Sequence, residues 1–290
     1  MKAWLLFTLL LAAVPLDEQA SPEHPRIAVS SQEFLQGTAD ALKVIQASGF
    51  EEGLETKGLA ASSAQDFQKL VAEINAKSLI SGVGTGDARA EYDVVLQPGH
   101  YLRTSGRTGT QGKYVSEQAL VAYITNIVAA SLRRGGTSVL VVSADNYLRP
   151  THFGTDFNGL RSKVFLAIHA DGSDQRCTIG PSLGYQRPAT AISMNFVALG
   201  LADALGYDYT DFRRNFTANE AHYYMFSQVQ ARRLTGLLEV GELTCEKSER
   251  ELITSSHSVG VNVARAIDFI LRTPEAAVSK IFATHAKPLS

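Results

Sequence analysis

Val164-Phe165-Leu166-Ala167-Ile168 is an unbroken apolar run, and it ends on His169. A run this short and this apolar reads as a buried strand, and the imidazole sits where the strand stops. Working outward, Tyr92-Asp93-Val94-Val95-Leu96 reads as another strand and leads to Gln97-Pro98-Gly99-His100. Ser138-Val139-Leu140-Val141-Val142 is nearly all β-branched or aliphatic, which suits a sheet covered on both faces. A fourth strand runs from Thr235 to Glu239. Helical patterns fall between the strands. Ser116 is placed to cap a helix from Glu117 to about Arg134, with Leu120, Ile124, Ile127, Val128 and Leu132 inward and Gly135-Gly136 as its stop. Further helices are expected near 190–204, 225–233 and 257–271. This alternation predicts an α/β fold of three layers, αβα, with a mostly parallel central sheet.

The strand ends carry the chemistry. His100, His169 and Glu239 each stand directly after a predicted strand, and Glu117 opens a helix. In an open α/β sheet, ligands bind outside the carboxyl ends of the strands. Parallel strands would therefore bring the three to one rim, with Glu117 entering from its helix start. Two histidines and a glutamate form a zinc ligand set that leaves a fourth position for water, and a separate carboxylate beside that water can act as general base. Pattern alone leaves a plainer reading open, with His169 a packed strand-end histidine and Glu117 a first-turn helix charge.

The motifs themselves resemble a known family. Val94-Val95-Leu96-Gln97-Pro98-Gly99-His100 is similar to the "DPGHG" strand and loop of the zinc-dependent N-acetylmuramoyl-L-alanine amidases with the amidase type 3 catalytic domain. Phe165-Leu166-Ala167-Ile168-His169-Ala170-Asp171 resembles their "SIHAN" strand, and Leu237-Leu238-Glu239-Val240-Gly241 their "LVEXG" segment. Glu117 matches their metal-binding glutamate. The resemblance spans about residues 90 to 272 and implies a divergent member of that family. It implies that His100, Glu117 and His169 hold Zn²⁺ and that Glu239 is the catalytic residue that activates water. The implied reaction is hydrolysis of the amide between N-acetylmuramic acid and L-alanine in peptidoglycan.

The chain departs from the family pattern at four places. Gln97 replaces an Asp that would orient the His100 ring, Asp171 stands where Asn is usual, and Tyr101 to Gly106 replaces a Gly-Ala. Glu242-Leu243-Thr244 lacks the usual aromatic residue and Asn. These changes keep an alternative in view, a catalytically inactive peptidoglycan-binding protein retaining the fold.

Composition narrows the partners. The 290 residues carry 27 Lys plus Arg against 29 Asp plus Glu, a formal net charge of -2, which disfavours a nucleic-acid partner. Two cysteines, Cys177 and Cys245, are too few for a four-cysteine zinc site. They either pair in an oxidising compartment or stay reduced and buried. Lys2 precedes an apolar run from Ala3 to Leu16, which is signal-peptide geometry and too short for a confident membrane span. The expectation is therefore export to the periplasm or the cell exterior, with no permanent membrane insertion after cleavage. Peptidoglycan or muropeptides are the expected partner; the sequence names no protein regulator.

The expected domain plan is a signal peptide at 1–20, an N-terminal α/β extension or small domain at 21–89, a catalytic domain at 90–272 and a tail at 273–290. The extension is read as a short strand at Ile27 to Ser30, a helix from Gln32 to about Ser48 and a second helix near 64–77. Other polar residues carry weaker readings. Glu242 competes with Glu239 as base, or serves as a solvated loop charge or a partner for Arg. His222 lines the groove or packs. His152 and His257 serve loop and helix-cap positions. Arg103, Arg107 and Lys113 make the first loop basic, and Arg161 and Asp145 tie loops around the rim. Gly106 to Lys113 has one residue too many for a P-loop, Gly82-Val83-Gly84-Thr85-Gly86 lacks a dinucleotide-binding setting, and no G-x-S-x-G elbow occurs.

Overall fold

The computed structural model describes residues 27–28, 63–76, 90–103, 108–143, 151–152, 155–156, 159–185, 188–206, 223–277 and 287–288. The expectations for 1–20, for the helix at Gln32–Ser48, and for Arg107, Asp145, His222 and the His152 side chain fall outside what is described. Five strands form the central sheet: β1 (Glu91–Pro98), β2 (Val139–Val141), β3 (Leu160–Asp171), β4 (Ser182–Tyr185) and β5 (Val229–Glu242). Their order is β2-β1-β3-β5-β4. All neighbours run parallel except β4, which lies antiparallel to β5 at one edge.

Among the described residues four α-helices accompany the sheet: α1 (Ala64–Ala76), α2 (Glu117–Arg134), α3 (Pro188–Leu205) and α4 (Glu246–Arg272). Their apolar faces share one cluster with one face of the sheet, where Val94, Leu96, Leu166, Ile168, Leu234 and Leu238 point. The other sheet face shows Val95, Leu140, Phe165, Ala167 and Leu237. It is closed among the described residues by a short 3₁₀ helix, Tyr224–Ser227, through Met225 and Phe226. The layers are thus helix, sheet, helix around a mostly parallel sheet. Strict inside burial on both faces explains the unbroken apolar runs of β1 and β3. From the N-terminal extension, α1 joins the main core through Phe67, Leu70 and Ile74. The short strand Ile27–Ala28 pairs antiparallel with Lys287–Pro288.

Helix α2 begins and ends where the sequence places it. Ser116 Oγ accepts from the Ala119 N–H at 3.2 Å, and the chain leaves the helix through Gly135-Gly136, with Gly136 at φ 81°. Two expectations need correction. The helix expected at 225–233 is a 3₁₀ turn followed by the first half of β5. Val229 and Ala231 are buried while Gln230 and Arg232 are exposed, a period-2 pattern that marks a strand with one solvated face. Helix α4 starts at Glu246, well before residue 257. Its first turns look polar because Glu249, a charged residue, is buried in the stripe that continues as Leu252, Ile253 and Ser256.

Cys177 and Cys245 form a disulfide across a sequence separation of 68 residues. It ties the loop after β3 to the residue that precedes α4. Closing a loop of that length restricts the unfolded chain, and Cys245→Ser is expected to cost about 2–4 kcal/mol. Urea unfolding should show this as a lower midpoint; an unchanged midpoint would mean the cross-link adds nothing.

Candidate metal centre

His100, Glu117 and His169 come together at the carboxyl edge of the sheet. One ligand atom from each lies within 4.8 Å of the others. Glu117 Oε1 is 3.0 Å from His169 Nδ1 and 3.6 Å from His100 Nε2. The two imidazole rings meet edge to face, with centroids 5.1 Å apart.

Local structure delivers each of them. His169 lies in β3, in register with Glu239 of β5. His100 follows β1, and its backbone adopts φ 54°, in the left-handed region that a non-glycine residue seldom enters. That turn swings the ring back over the strand ends. Gly99 precedes it because nothing larger fits: a Cβ there would lie 2.5 Å from His169 Nδ1. Glu117 sits at the first position of α2 and is almost fully buried. The Thr110 N–H donates to its Oε2 at 2.8 Å and the Ala170 N–H to its Oε1 at 3.3 Å. Its own N–H returns to the Thr110 carbonyl at 2.9 Å. Burial alone would raise the Glu117 pKa. The hydrogen bond and charge of His169, the charge of His100 and the Thr110 N–H outweigh it, so the carboxyl is held below its ordinary value.

The cluster opens into a cleft of about 390 Å³ lined by His100, Thr108, Gly109, Thr110, Glu117, His169, Ala170, Asp171 and Glu239. Glu239 therefore shares the cleft with the two histidines and Glu117, and its Oε2 is buried. All four residues singled out at the strand and helix ends are brought to one place.

The weaker candidates go elsewhere. Glu242 is neither a second base nor a solvated charge. It is fully buried and accepts from the Cys177 N–H at 2.8 Å, the Ile179 N–H at 2.9 Å and the Thr244 hydroxyl at 2.6 Å. Burial raises its pKa, but the Thr244 hydroxyl and the backbone N–H groups of the disulfide loop bring it below the ordinary range. Arg161 lies near the start of β3, far along the strand from the rim, so it ties no rim loop. Lys113 faces α4 and pairs with Glu246 at 2.7 Å. His257 lies inside α4 and caps nothing; burial, then the nearby charge of Arg134, lowers its pKa. Arg103 is buried, and its carbonyl accepts from Gln118 Nε2 at 3.1 Å.

Two residues at the site carried no readable signal. Tyr223 places its hydroxyl 3.1 Å from His169 Nε2. Glu249 accepts three backbone N–H groups from the loop that leads into Glu117, namely those of Lys113, Tyr114 and Val115, at 2.9, 2.7 and 3.0 Å. Neither belongs to a local motif.

Among solved structures the chain is similar to several N-acetylmuramoyl-L-alanine amidases. N-acetylmuramoyl-L-alanine amidase AmiC2 of Nostoc punctiforme aligns with 65% of this chain and 100% of its own, at 19% identity and a TM-score of 0.44. An N-acetylmuramoyl-L-alanine amidase from Clostridium difficile 630 aligns with 61% of this chain and 95% of its own, at 17% identity and a TM-score of 0.44. The amidase Ami1 from Mycobacterium smegmatis aligns with 61% of this chain and 95% of its own, at 19% identity and a TM-score of 0.43. No family model matches the chain, and no curated protein matches it in sequence.

Proposed function

We propose that this protein is a zinc-dependent hydrolase of the amide between N-acetylmuramic acid and L-alanine in peptidoglycan. The observation that carries the reading is the convergence of His100, Glu117 and His169 on one point, with Glu239 in the same cleft. The donor set fits zinc. Two imidazole nitrogens and one carboxylate oxygen leave a fourth position open. Tetrahedral ligands about 2.0–2.1 Å from zinc stand roughly 3.3 Å apart, and the Glu117 distances of 3.0 and 3.6 Å bracket that value.

Zinc held there would supply Lewis acidity toward a carbonyl oxygen and make water more acidic. The chain supplies the rest. Glu117 is fixed by two backbone N–H groups and presents Oε1 between the histidines. Glu239 takes the proton from the attacking water and returns it to the departing amine. Asp171 and Thr110 wall the cleft.

Support for the substrate comes from the four motif blocks in family order. Support for export comes from the apolar run after Lys2 and from the Cys177–Cys245 disulfide, since such bonds persist in oxidising compartments. No described helix is long and apolar enough to cross a membrane. Residues 90–272 form the proposed catalytic unit, with 21–89 an extension whose helix α1 packs on it and 273–290 a tail.

Zinc content by elemental mass spectrometry tests the centre. About one zinc per chain is expected in the wild type, with a loss in His169→Ala. A wild type that stays empty after refolding with zinc would end the metallohydrolase reading and leave peptidoglycan binding as the function to assay.

A further inference from the structure

We infer that Gln97 and Tyr223 form a relay that fixes which nitrogen of His169 faces the metal, so that Tyr223 is a positioning residue of the centre. The inference rests on the zinc reading above and goes beyond it.

The direction of each bond follows from a backbone carbonyl. Ser143 O can only accept, and Gln97 meets it at 3.2 Å, so the atom facing it is the amide nitrogen. The second hydrogen of that nitrogen goes to the Tyr224 hydroxyl, also at 3.2 Å. The Gln97 oxygen must then face Tyr223, at 2.6 Å, and a carboxamide oxygen only accepts. The Tyr223 hydrogen is therefore committed to Gln97. Toward His169 Nε2, at 3.1 Å, the phenol has only a lone pair to offer. Nε2 must carry a hydrogen to donate. That leaves Nδ1, the nitrogen 3.0 Å from Glu117 Oε1, as the one whose lone pair would go to a metal in place of its hydrogen bond to Glu117.

Gln97 is buried, and its two hydrogens and one oxygen are all committed. This gives a physical account of the Gln where the resembling family has Asp. A carboxylate at this place would turn an acceptor toward the Ser143 carbonyl. The role expected for that position also changes: Gln97 acts on His169 through Tyr223, where the sequence pointed to His100. The ring of Tyr223 completes the fit, lying edge to face with His169 at 5.4 Å. Partners of this kind, which hold a metal-binding imidazole by its second nitrogen, typically change metal affinity 10–100-fold when removed.

The test uses the full chain and zinc as its probe. Tyr223→Phe keeps the ring and removes the hydroxyl. Chelator competition should show zinc bound about 10–100-fold more weakly than by the wild type. Nitrogen-15 NMR of His169 in the zinc-loaded wild type should find the metal on Nδ1 and a hydrogen on Nε2. Gln97→Glu, which keeps the shape but removes both donors, should weaken zinc in the same direction. Equal zinc affinity in Tyr223→Phe, or metal found on Nε2, overturns the relay while leaving the zinc centre standing. If Tyr223→Phe does not fold, the wild-type spectrum decides alone. If the wild type takes up no zinc, the function proposed above falls, and the metal-free spectrum judges the relay: a hydrogen on Nε2 supports it, a bare Nε2 overturns it.

Discussion

Glu239→Gln should lower hydrolysis of muropeptides by about 10²–10⁴-fold and leave zinc content unchanged. Glutamine keeps the size of the side chain and its seat in β5 opposite His169. It removes the one property the reaction asks of this residue, the capacity to take a proton from water and release it to the leaving amine. The metal should not notice, since Glu239 lines the cleft without belonging to the His100, Glu117 and His169 cluster. Paired measurements of turnover and zinc content make the check. Turnover within a factor of two of wild type would remove Glu239 from the mechanism. Joint loss of zinc and activity would make it a ligand.

Glu249→Ala should unfold the route into the centre. The carboxylate is fully buried and holds three successive N–H groups, from Lys113 to Val115. Deleting it leaves three donors facing a cavity, at about 1 kcal/mol or more each, so a loss of roughly 3 kcal/mol is expected. The damage should not stay local. The same loop ends in the Ser116 cap and in Thr110, whose N–H and carbonyl both bind Glu117. Weaker zinc retention should accompany the lower urea midpoint. Glu249→Gln, which keeps one acceptor oxygen, should fall between the two. Wild-type stability with full zinc in Glu249→Ala would show that water replaces the carboxylate.

These two glutamates show what the sequence reveals and what it hides. Glu239 was legible because a buried strand is written as a run of apolar letters, and a charged residue that ends the run stands out. His100 and His169 were legible for the same reason, and α2 because its cap and stop residues are local signals. Glu249 lies ahead of the helix expected at 257–271 and carries no local signal of its own. Its partners are backbone groups more than 130 residues away, and backbone groups leave no letter in the sequence. Glu242 was hidden in the same way. Tyr223 could not be placed because its function depends on the side chains of Gln97 and His169, each distant in sequence. The antiparallel edge strand β4 is only four residues long, too short for a period to show. The first half of β5 failed for another reason: Met225, Phe226 and Val229 happen to fit a helical spacing over one turn.

The central place of β3 has a consequence for the order in which the protein comes into being. β3 is flanked by β1 and β5, and the β5 side cannot close until residues up to 242 are available. Parallel pairings across such distances form late, because the intervening chain must be gathered first. The loop that steers Glu117 waits still longer, for the Glu249 turn of α4. A chain able to pair only up to Glu239 would hold all four residues of the proposed centre without the Glu249 contacts that fix the loop into Glu117.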